Sequence, residues 1–474
     1  MRITNKIIQN NSLTNINTNK VLQDKLSTMI ATNKKIARPS EDPIIALRSL
    51  RLRTSVNQTS QYLEKNVQDA KSWLEVTEKA ITTLSDVITD VRKQYTKATS
   101  STLTSSDRKI IIEDLKALSE EIYNTGNADF AGRSVFTGYR TEEELTFQKK
   151  ENVRYSIDET EESLRFDKVE YIHQGDIEND VYTAEITRIR LSHDKLDNTK
   201  PTYLNINGTE YAATDITVRG VNDNPDPYDT AYNNPDAIVY VPETGELLLG
   251  SNIATEVNSC NVTYEKTEWD KGDLRPEHFF YCRDLTKNID YTSHGGGIEY
   301  NIGVNQSLRV NTNASECFTH DISRDIDDVI RALEVVTSIE ETIANLKDEI
   351  KGFDNTTPQA DVDAANAKLD AAKKAQTFIN NKLATMLGGG ITKADGYLNR
   401  NSVALANCGT TSKRLDLIEN RLDNQLSTLK ELKSDNEDAD IAETAIKLSS
   451  AQYSYDAALL STSKIIKETL LNYI

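Results

Sequence analysis

Apolar and small residues near the end of the chain recur in alternating steps of four and three. Ile441, Ala445, Leu448, Gln452, Tyr455, Leu459, Thr462, Ile466, Thr469 and Tyr473 fall on one line. That is the roughly 3.5-residue period of a coiled-coil seam, and neither Pro nor Gly interrupts it. The opening segment answers with a thinner stripe, Ile3, Ile7, Ile16, Leu22, Leu26 and Met29, on a Thr/Asn/Lys-rich background. A helix with one apolar face needs something to cover it. Either the two termini cover each other, or each meets the same segment of a neighbouring copy. The pattern favours assembly, because stripes that run to both chain ends would fray in an isolated monomer.

The same reading divides the chain. Residues 1–42 form an N-terminal assembly helix, which Arg38-Pro39-Ser40-Glu41-Asp42-Pro43 breaks and restarts, with Asp42 as cap and Pro43 at the first helical position. Residues 43–139 are the first half of a helical rod. Its stripe runs through Trp73, Val76, Ala80, Leu84, Val87, Val91, Tyr95 and Ala98. A further helix is capped by Thr104 and Asp107, buries Ile111, Leu115, Leu118 and Ile122, and stops at Asn124-Thr125-Gly126. Residues 140–318 read as an inserted β-rich domain. Asn207-Gly208 signals a hairpin, Thr244-Gly245 marks a turn, and the alternation from Ile298 to Val310 predicts a single half-buried strand. Residues 319–434 are the second half of the rod, with an insertion near 350–410 and a break at Gly388-Gly389-Gly390. Leu415, Ile418, Leu422, Gln425, Leu429 and Leu432 carry another heptad there. An acidic hinge, Asp435 to Asp440, leads into the C-terminal assembly helix, 435–474. The fold class is therefore α+β: an elongated antiparallel helical bundle or coiled-coil rod built from both chain ends, with an inserted β-rich domain.

Composition narrows the partners. The apolar fraction is 37% and the net charge −19, from 55 basic and 74 acidic residues. Cores are thin, and a phosphate backbone would be repelled, so nucleic acid is not an expected partner. No stretch is apolar enough to span a membrane, and no cleavable apolar leader opens the chain. Cys260, Cys282, Cys317 and Cys408 are too dispersed for a Cys-x-x-Cys site. A Cys260–Cys282 disulfide is possible, although buried thiols are the plainer reading.

Chemistry-bearing motifs are weak. His294-Gly295-Gly296-Gly297 is like the oxyanion loop of esterases, but its partner motif would be Gly132-Arg133-Ser134-Val135-Phe136, which lacks the second glycine. A flexible turn before Ile298 explains it better. Asn222, Asn224 and Asp226 have calcium-loop spacing, yet Pro227 replaces the required Gly and no Glu closes the loop. None of the five histidines has a helical i, i+4 partner. No enzyme activity, catalytic residue, cofactor or metal is expected. A surface enzyme or adhesin carried on the β-rich domain remains the alternative from another class.

Several segments together resemble the flagellin superfamily. Met1-Arg2-Ile3-Thr4 is similar to its start. Lys35-Ile36-Ala37-Arg38-Pro39-Ser40-Glu41-Asp42-Pro43 is similar to its Lys-x-x-x-Pro-Ser-Asp-Asp-Pro signature, with Glu41 in place of one Asp. Trp73-Leu74 and Gly132-Arg133-Ser134-Val135-Phe136-Thr137-Gly138 resemble its helix core and its Gly-x-Tyr-x-Phe-Ser-Gly turn. Asn420-Arg421-Leu422, Ser434–Ala442 and Leu470-Leu471-Asn472-Tyr473-Ile474 fit its C-terminal half. The Pro-Ser-Glu-Asp-Pro version, and the missing Gln-Ala-Asn stretch, point to the hook–filament junction branch rather than to filament-forming flagellin, which is the closest competitor. The 350–410 insertion and the cysteines depart from the superfamily pattern. The resemblance implies a structural protein of the bacterial flagellum. It would self-assemble into a ring or layer by coaxial packing of its terminal helices, with the β-rich domain outermost. Its partners would be another hook-associated protein on the hook side, flagellin on the filament side, and an export chaperone on the C-terminal helix. Its location would be extracellular, reached by flagellar export without signal cleavage. The assembly interface would comprise Ile3, Ile7, Ile16, Leu22, Leu26, Leu448, Tyr455, Leu459, Ile466, Leu470 and Tyr473.

Overall fold

Short polar caps set where the helices begin. The Asp42 carboxylate accepts from the backbone N–H groups of Ile44 and Ile45 at 2.9 and 3.0 Å, and Pro43 occupies the first turn. Thr104 and Asp107 bond each other's backbone reciprocally, forming a capping box. The computed structural model describes residues 5–100, 103–160, 164–174, 181–254, 257–292, 295–353 and 358–471. Its helices are α1 (Asn5–Thr32), α2 (Pro43–Gln61), α3 (Val67–Ala98), α4 (Ser105–Asn124), α5 (Pro227–Asn233), α6 (Ala314–Cys317), α7 (His320–Gly352), α8 (Gln359–Glu437) and α9 (Ile441–Leu471). A π-turn, Tyr62–Asn66, joins α2 to α3. The fold class is α+β, with the strands inserted between α4 and α7.

The chain divides into two compact units. One comprises residues 1–69, 301–307 and 414–474, and the other residues 70–300 and 308–413. In the second unit α3, α4, α7 and α8 form a four-helix bundle. Gln94 reaches Asp114 between α3 and α4, and Arg108 grips Glu340 between α4 and α7. Lys393 and Tyr397 of α8 meet Asp325 of α7, while Asn401 and Asp395 of α8 meet Ser85 and Arg92 of α3. Trp73, Ala80, Leu84, Val87, Val91, Tyr95 and Ala98 bury their side chains in this bundle.

The 388–390 glycines do not break the chain: α8 runs through them without interruption. The buried and half-buried positions of α8 explain why. Ala365, Leu369, Ala372, Gln376, Ile379, Leu383, Leu387, Gly390, Ala394, Tyr397, Asn401, Ala404 and Cys408 step by fours and threes. One extra step of four, at Leu383–Leu387, is a stutter in the repeat. Gly390 sits on that seam beneath the ring of Tyr95, where an added Cβ would lie 3.0 Å from the ring. Tertiary packing therefore needs a glycine there and overrides its poor helix propensity.

The inserted region contains β1 (Asp129–Phe130), β2 (Arg133–Ser134), β3 (Glu151–Glu159), β4 (Arg165–Gln174), β5 (Val181–Arg190), β6 (Tyr203–Ile206), β7 (Thr209–Glu210), β8 (Ile216–Val218), β9 (Ile238–Val241), β10 (Glu246–Leu249), β11 (Cys260–Trp269), β12 (Tyr281–Asp284), β13 (Ile289–Tyr291), β14 (Glu299–Gly303) and β15 (Gln306–Arg309). Five strands in the order β4-β5-β10-β9-β8 face six in the order β13-β12-β3-β11-β6-β7. Ile189, Tyr240 and Leu247 from the first sheet pack with Tyr155, Ile157, Val262 and Tyr264 from the second. The result is a sandwich. Asn207 and Gly208 take positive φ values of 52° and 82° at the β6–β7 hairpin, as that dipeptide predicts. The stretch from Ile298 to Val310 is not one strand but the β14–β15 hairpin. Asn305 takes φ 55° at its turn, which reverses the chain in the middle of the alternation.

Alternation along β5 aims Ile189 at the sandwich core and Arg188 and Arg190 at the opposite face. Arg190 contacts Asp325 at 2.8 Å and Asp328 at 2.9 Å on α7, and Arg188 contacts Glu246 at 2.9 Å and Asp328 at 3.2 Å. Burial works against the charge of Asp328, but the two guanidiniums hold its carboxyl well below the usual range. The four cysteines are buried free thiols. Asp226 is the N-cap of α5, accepting from Tyr228 at 2.7 Å, which accounts for the calcium-like spacing. His294 lies outside the described residues. Gly295 packs on Gly138, whose Cβ would collide with its carbonyl.

The three glycines give an internally controlled prediction. Gly388 and Gly389 face open space. Alanine at either should stabilise α8 by about 0.5–1 kcal/mol. Leucine at Gly390 should instead destabilise by about 1–3 kcal/mol, because the buried Tyr95 ring must move. Thermal unfolding of the three variants followed by circular dichroism measures the contrast. A stabilised Gly390→Leu would refute the account of that contact.

Candidate assembly surface

The first unit is built from both chain ends. α1 packs against α9. At their junction the Lys35 N–H donates to the Glu437 carbonyl at 2.7 Å, and the Ala439 N–H donates to the Asn33 carbonyl at 3.1 Å. Since α1 ends and α9 begins at this bridge, the two helices run antiparallel. The less exposed positions of α9 are Thr444, Leu448, Ala451, Tyr455, Ala458 and Thr462, in steps of four and three. On α1 they include Ser12, Ile16, Asn19, Gln23, Leu26 and Ile30. This seam is thin, made largely of small and polar side chains.

A second heptad lies on the outside of α9. Ile446, Ser450, Tyr453, Ala457 and Leu460 also step by fours and threes, and Tyr453 is 76% and Leu460 65% exposed. Ala445, Ser449 and Ser454 complete a shallow groove along the same face. Of the residues that the sequence assigns to an assembly interface, Ile16, Leu26, Leu448 and Tyr455 lie on the inward seam. Ile7, Leu22 and Leu459 stay exposed. Ile3 and Tyr473 lie outside the described residues, as do the side chains of Ile466 and Leu470.

One carboxylate organises the junction. The Glu437 side chain is 4% exposed. It accepts from Arg53 Nε and Nη2 at 2.7 and 2.8 Å, from Ser49 Oγ, and from Lys34 Nζ at 3.3 Å. Lys34 also bonds Asp438, and Asn436 Nδ2 donates to the Ile45 carbonyl at 3.1 Å. The hydrogen bonds from Arg53 are the largest influence on Glu437. With Ser49 and Lys34 they outweigh its burial and lower its pKa from 4.5 to about 2. α2 continues the pairing along α8. The inward face of α2 carries Ser49, Val56 and Thr59, Leu63 follows in the π-turn, and Gln68 at the start of α3 meets Glu419 of α8 at 2.6 Å. Asn66, in the π-turn, donates to the Asn301 carbonyl at 2.6 Å, and Arg421 donates to Gln306 at 2.7 Å, which seats the tip of the β14–β15 hairpin in this unit. In the sequence 435–440 reads only as a hinge, and the one signal of the junction is the basic pair Lys34-Lys35 just before the first break, matched to that acidic run.

Known proteins resemble parts of this chain. Residues 3–141 match the family model of the bacterial flagellin N-terminal helical region. The chain is 29% identical over 144 residues to flagellar hook-associated protein 3 of Salmonella typhimurium, covering 30% of this chain and 45% of that protein. It is 31% identical over 110 residues to flagellar hook-associated protein 3 of Escherichia coli, covering 23% and 34%. The chain thus spans less than half the length of the curated relatives it matches. Among solved structures it is similar to Xanthomonas campestris FlgL, with a TM-score of 0.31 and 12% identity over 81% of this chain and 99% of that one.

The depressed pKa fixes the sign of a pH effect. A carboxylate whose pKa falls on folding contributes stability above its unfolded value and loses it as pH drops through the folded one. The Glu437 contribution should therefore be full above pH 4.5 and fade towards pH 2. Glu437→Gln should cost roughly 1.5–3 kcal/mol at pH 7. It should also remove part of the acid-induced loss in that window. Urea unfolding of both proteins between pH 7 and pH 2 tests this. Parallel stability curves for the two would contradict it.

Proposed function

We propose that the chain is a structural component of the bacterial flagellum, a hook–filament junction protein without catalytic activity. The observation that carries the reading is the pairing of a flagellin-type first helix with a last helix that has two seams. The inward seam closes the two ends of one subunit on each other. The outward seam, Ile446, Tyr453 and Leu460, is left for a neighbouring copy, and the exposed Ile7, Leu22 and Leu459 border the same kind of contact. Subunits then pack through their terminal helices into a ring or layer, with Ile3, Ile466, Leu470 and Tyr473 extending the interface to the chain ends. The two faces of the layer meet another hook-associated protein and flagellin. Before assembly the outward stripe needs a cover in the cytosol, a task for an export chaperone. The protein leaves by the flagellar export route without signal cleavage.

The identities of the curated relatives support this reading over a filament-forming flagellin. The histidines do not favour a hydrolase on the sandwich. His193 Nδ1 pairs with the Tyr264 hydroxyl at 2.8 Å, and His278 Nε2 with the Glu144 carbonyl at 3.2 Å.

Deletion of the gene should leave hooks without attached filaments and release flagellin to the medium. Normal swimming of the deletion strain would refute the proposal. Within the protein, Leu460→Asp places a charge on the outward seam. Each buried aliphatic side chain contributes roughly 1.5–3 kcal/mol, and a ring repeats the defect in every subunit. The variant should keep the wild-type melt as a monomer yet fail to restore motility. Leu448→Asp, on the inward seam, should loosen α1 and α9 in the monomer as well. Full motility of the Leu460→Asp strain would remove the outward seam from the assembly surface. Purified protein added to filament fragments should contribute a short layer at most, where a flagellin would elongate them.

A further inference from the structure

We infer that Glu143, Glu277 and His278 form a binding site for a divalent metal ion, with zinc as the fitting ion. The three come from two segments far apart in sequence. Glu143 lies between β2 and β3, and Glu277 and His278 form the end of a single 3-10 turn, Pro276–His278, just before β12. Backbone bonds lock the two segments together. The Phe147 N–H donates to the Asp273 carbonyl at 2.9 Å, and the Arg275 N–H donates to the Leu145 carbonyl at 3.0 Å. The side chains therefore converge on a fixed frame.

Each residue presents one buried atom without a hydrogen-bond partner: Glu143 Oε2, Glu277 Oε2 and His278 Nδ1. The ligand atoms of the three residues lie within 4.8 Å of one another. Glu277 is 1% and His278 4% exposed. Buried polar atoms are almost always satisfied, so three residues of one cluster that each carry an orphan call for a ligand. The orientation of His278 is that of a metal ligand. Its Nε2 faces the Glu144 carbonyl, which can only accept, so the proton is on Nε2 and the lone pair on Nδ1. Glu277 is divided in the same way. Oε1 takes Arg275 Nη1 at 3.4 Å, which leaves Oε2 to the cluster. The two nearby guanidiniums leave Glu277 Oε2 free. Arg140 donates to the Glu277 carbonyl at 2.8 Å and lies over the Tyr291 ring, and the Arg275 guanidinium lies over Phe147.

The donor set selects the ion. Calcium and magnesium prefer oxygen ligands alone, whereas one imidazole with two carboxylates suits zinc. Zinc–ligand distances of roughly 2.0–2.2 Å put two ligands at most about 4.4 Å apart across the ion. The cluster therefore needs to close only slightly. Glu143 and Glu277 bring negative charge to a divalent ion, part of Glu277's being shared with Arg275, and the partly exposed Glu143 leaves an access path and a position for water. Bound there, the ion would staple the segment after β2 to the turn before β12.

The test uses the full chain, stripped with EDTA and titrated with zinc chloride in a calorimeter. One equivalent should bind, and at a hundredfold excess over Kd the melting temperature should rise by roughly 3–5 °C. Calcium chloride under the same conditions should give no heat. Glu143→Gln keeps the shape at a partly exposed position and should weaken zinc binding at least about tenfold, with the melt of the zinc-free protein unchanged. His278→Gln should abolish binding. The inference is overturned if the folded, stripped protein takes up no stoichiometric zinc, or if both variants bind it as the wild type does.

Discussion

Both ends of this chain must be covered at once, and the Glu437 carboxylate makes that possible. A buried carboxylate is costly unless it is paired and hydrogen-bonded. Here Arg53 supplies two parallel donors, Ser49 a third and Lys34 a fourth. The partners come from the end of α1 and from the first turns of α2, while Glu437 is the last residue of α8. A single side chain thus ties the entry into the first long helix to the exit from the last but one. The short backbone bridge between 33–35 and 437–439 then fixes the antiparallel course of α1 and α9. Register along that hairpin follows from the junction rather than from the seam, which is too thin to specify it.

The second unit uses charge differently. Arg188, Arg190, Asp325 and Asp328 sit between the five-stranded sheet and α7, almost free of solvent. Such a network contributes little net stability, because desolvation offsets attraction. It is directional, though. Arg188 and Arg190 can both reach α7 only if β5 presents one face in one register, and a slip by one residue would turn them into the apolar core. The network therefore selects a single docking of sheet on helix, where apolar surfaces alone would tolerate several.

What was legible in the sequence is what is decided locally. Asp42-Pro43, Thr104 with Asp107, and Asn207-Gly208 act on backbone groups within a few residues of themselves, so their types and spacing were sufficient. The misread segments were decided at a distance. Gly388–Gly390 look like a break until Tyr95 is placed over Gly390. Ile298–Val310 looks like one strand because the reversal at Asn305 leaves the alternation intact on both sides. The site was only partly readable for the same reason. A stripe on α9 was visible, but the residues of two interleaved seams cannot be sorted until a partner occupies one of them. Glu437 with Arg53, and Glu143 with His278, are pairs separated by most of a domain in the chain, and no local spacing announces them.

The distribution of side-chain size between the two seams of α9 carries the functional argument furthest. Inward, Leu448 and Tyr455 are spaced by Thr444, Ala451, Ala458 and Thr462, which let α1 approach closely but remove little apolar surface from water. Outward, Ile446, Tyr453 and Leu460 carry larger apolar surfaces and meet solvent. Burial of apolar area is the main favourable term in association. A helix that leaves Ile446, Tyr453 and Leu460 in solvent therefore has further burial to gain from a partner on that face. In the proposed layer the hairpin would set orientation, and the neighbour would add stabilisation. For a junction layer that division is useful: a subunit whose ends were held mainly by its own contacts would be complete alone. One whose ends are aligned internally and left partly uncovered outside would be drawn into the proposed layer.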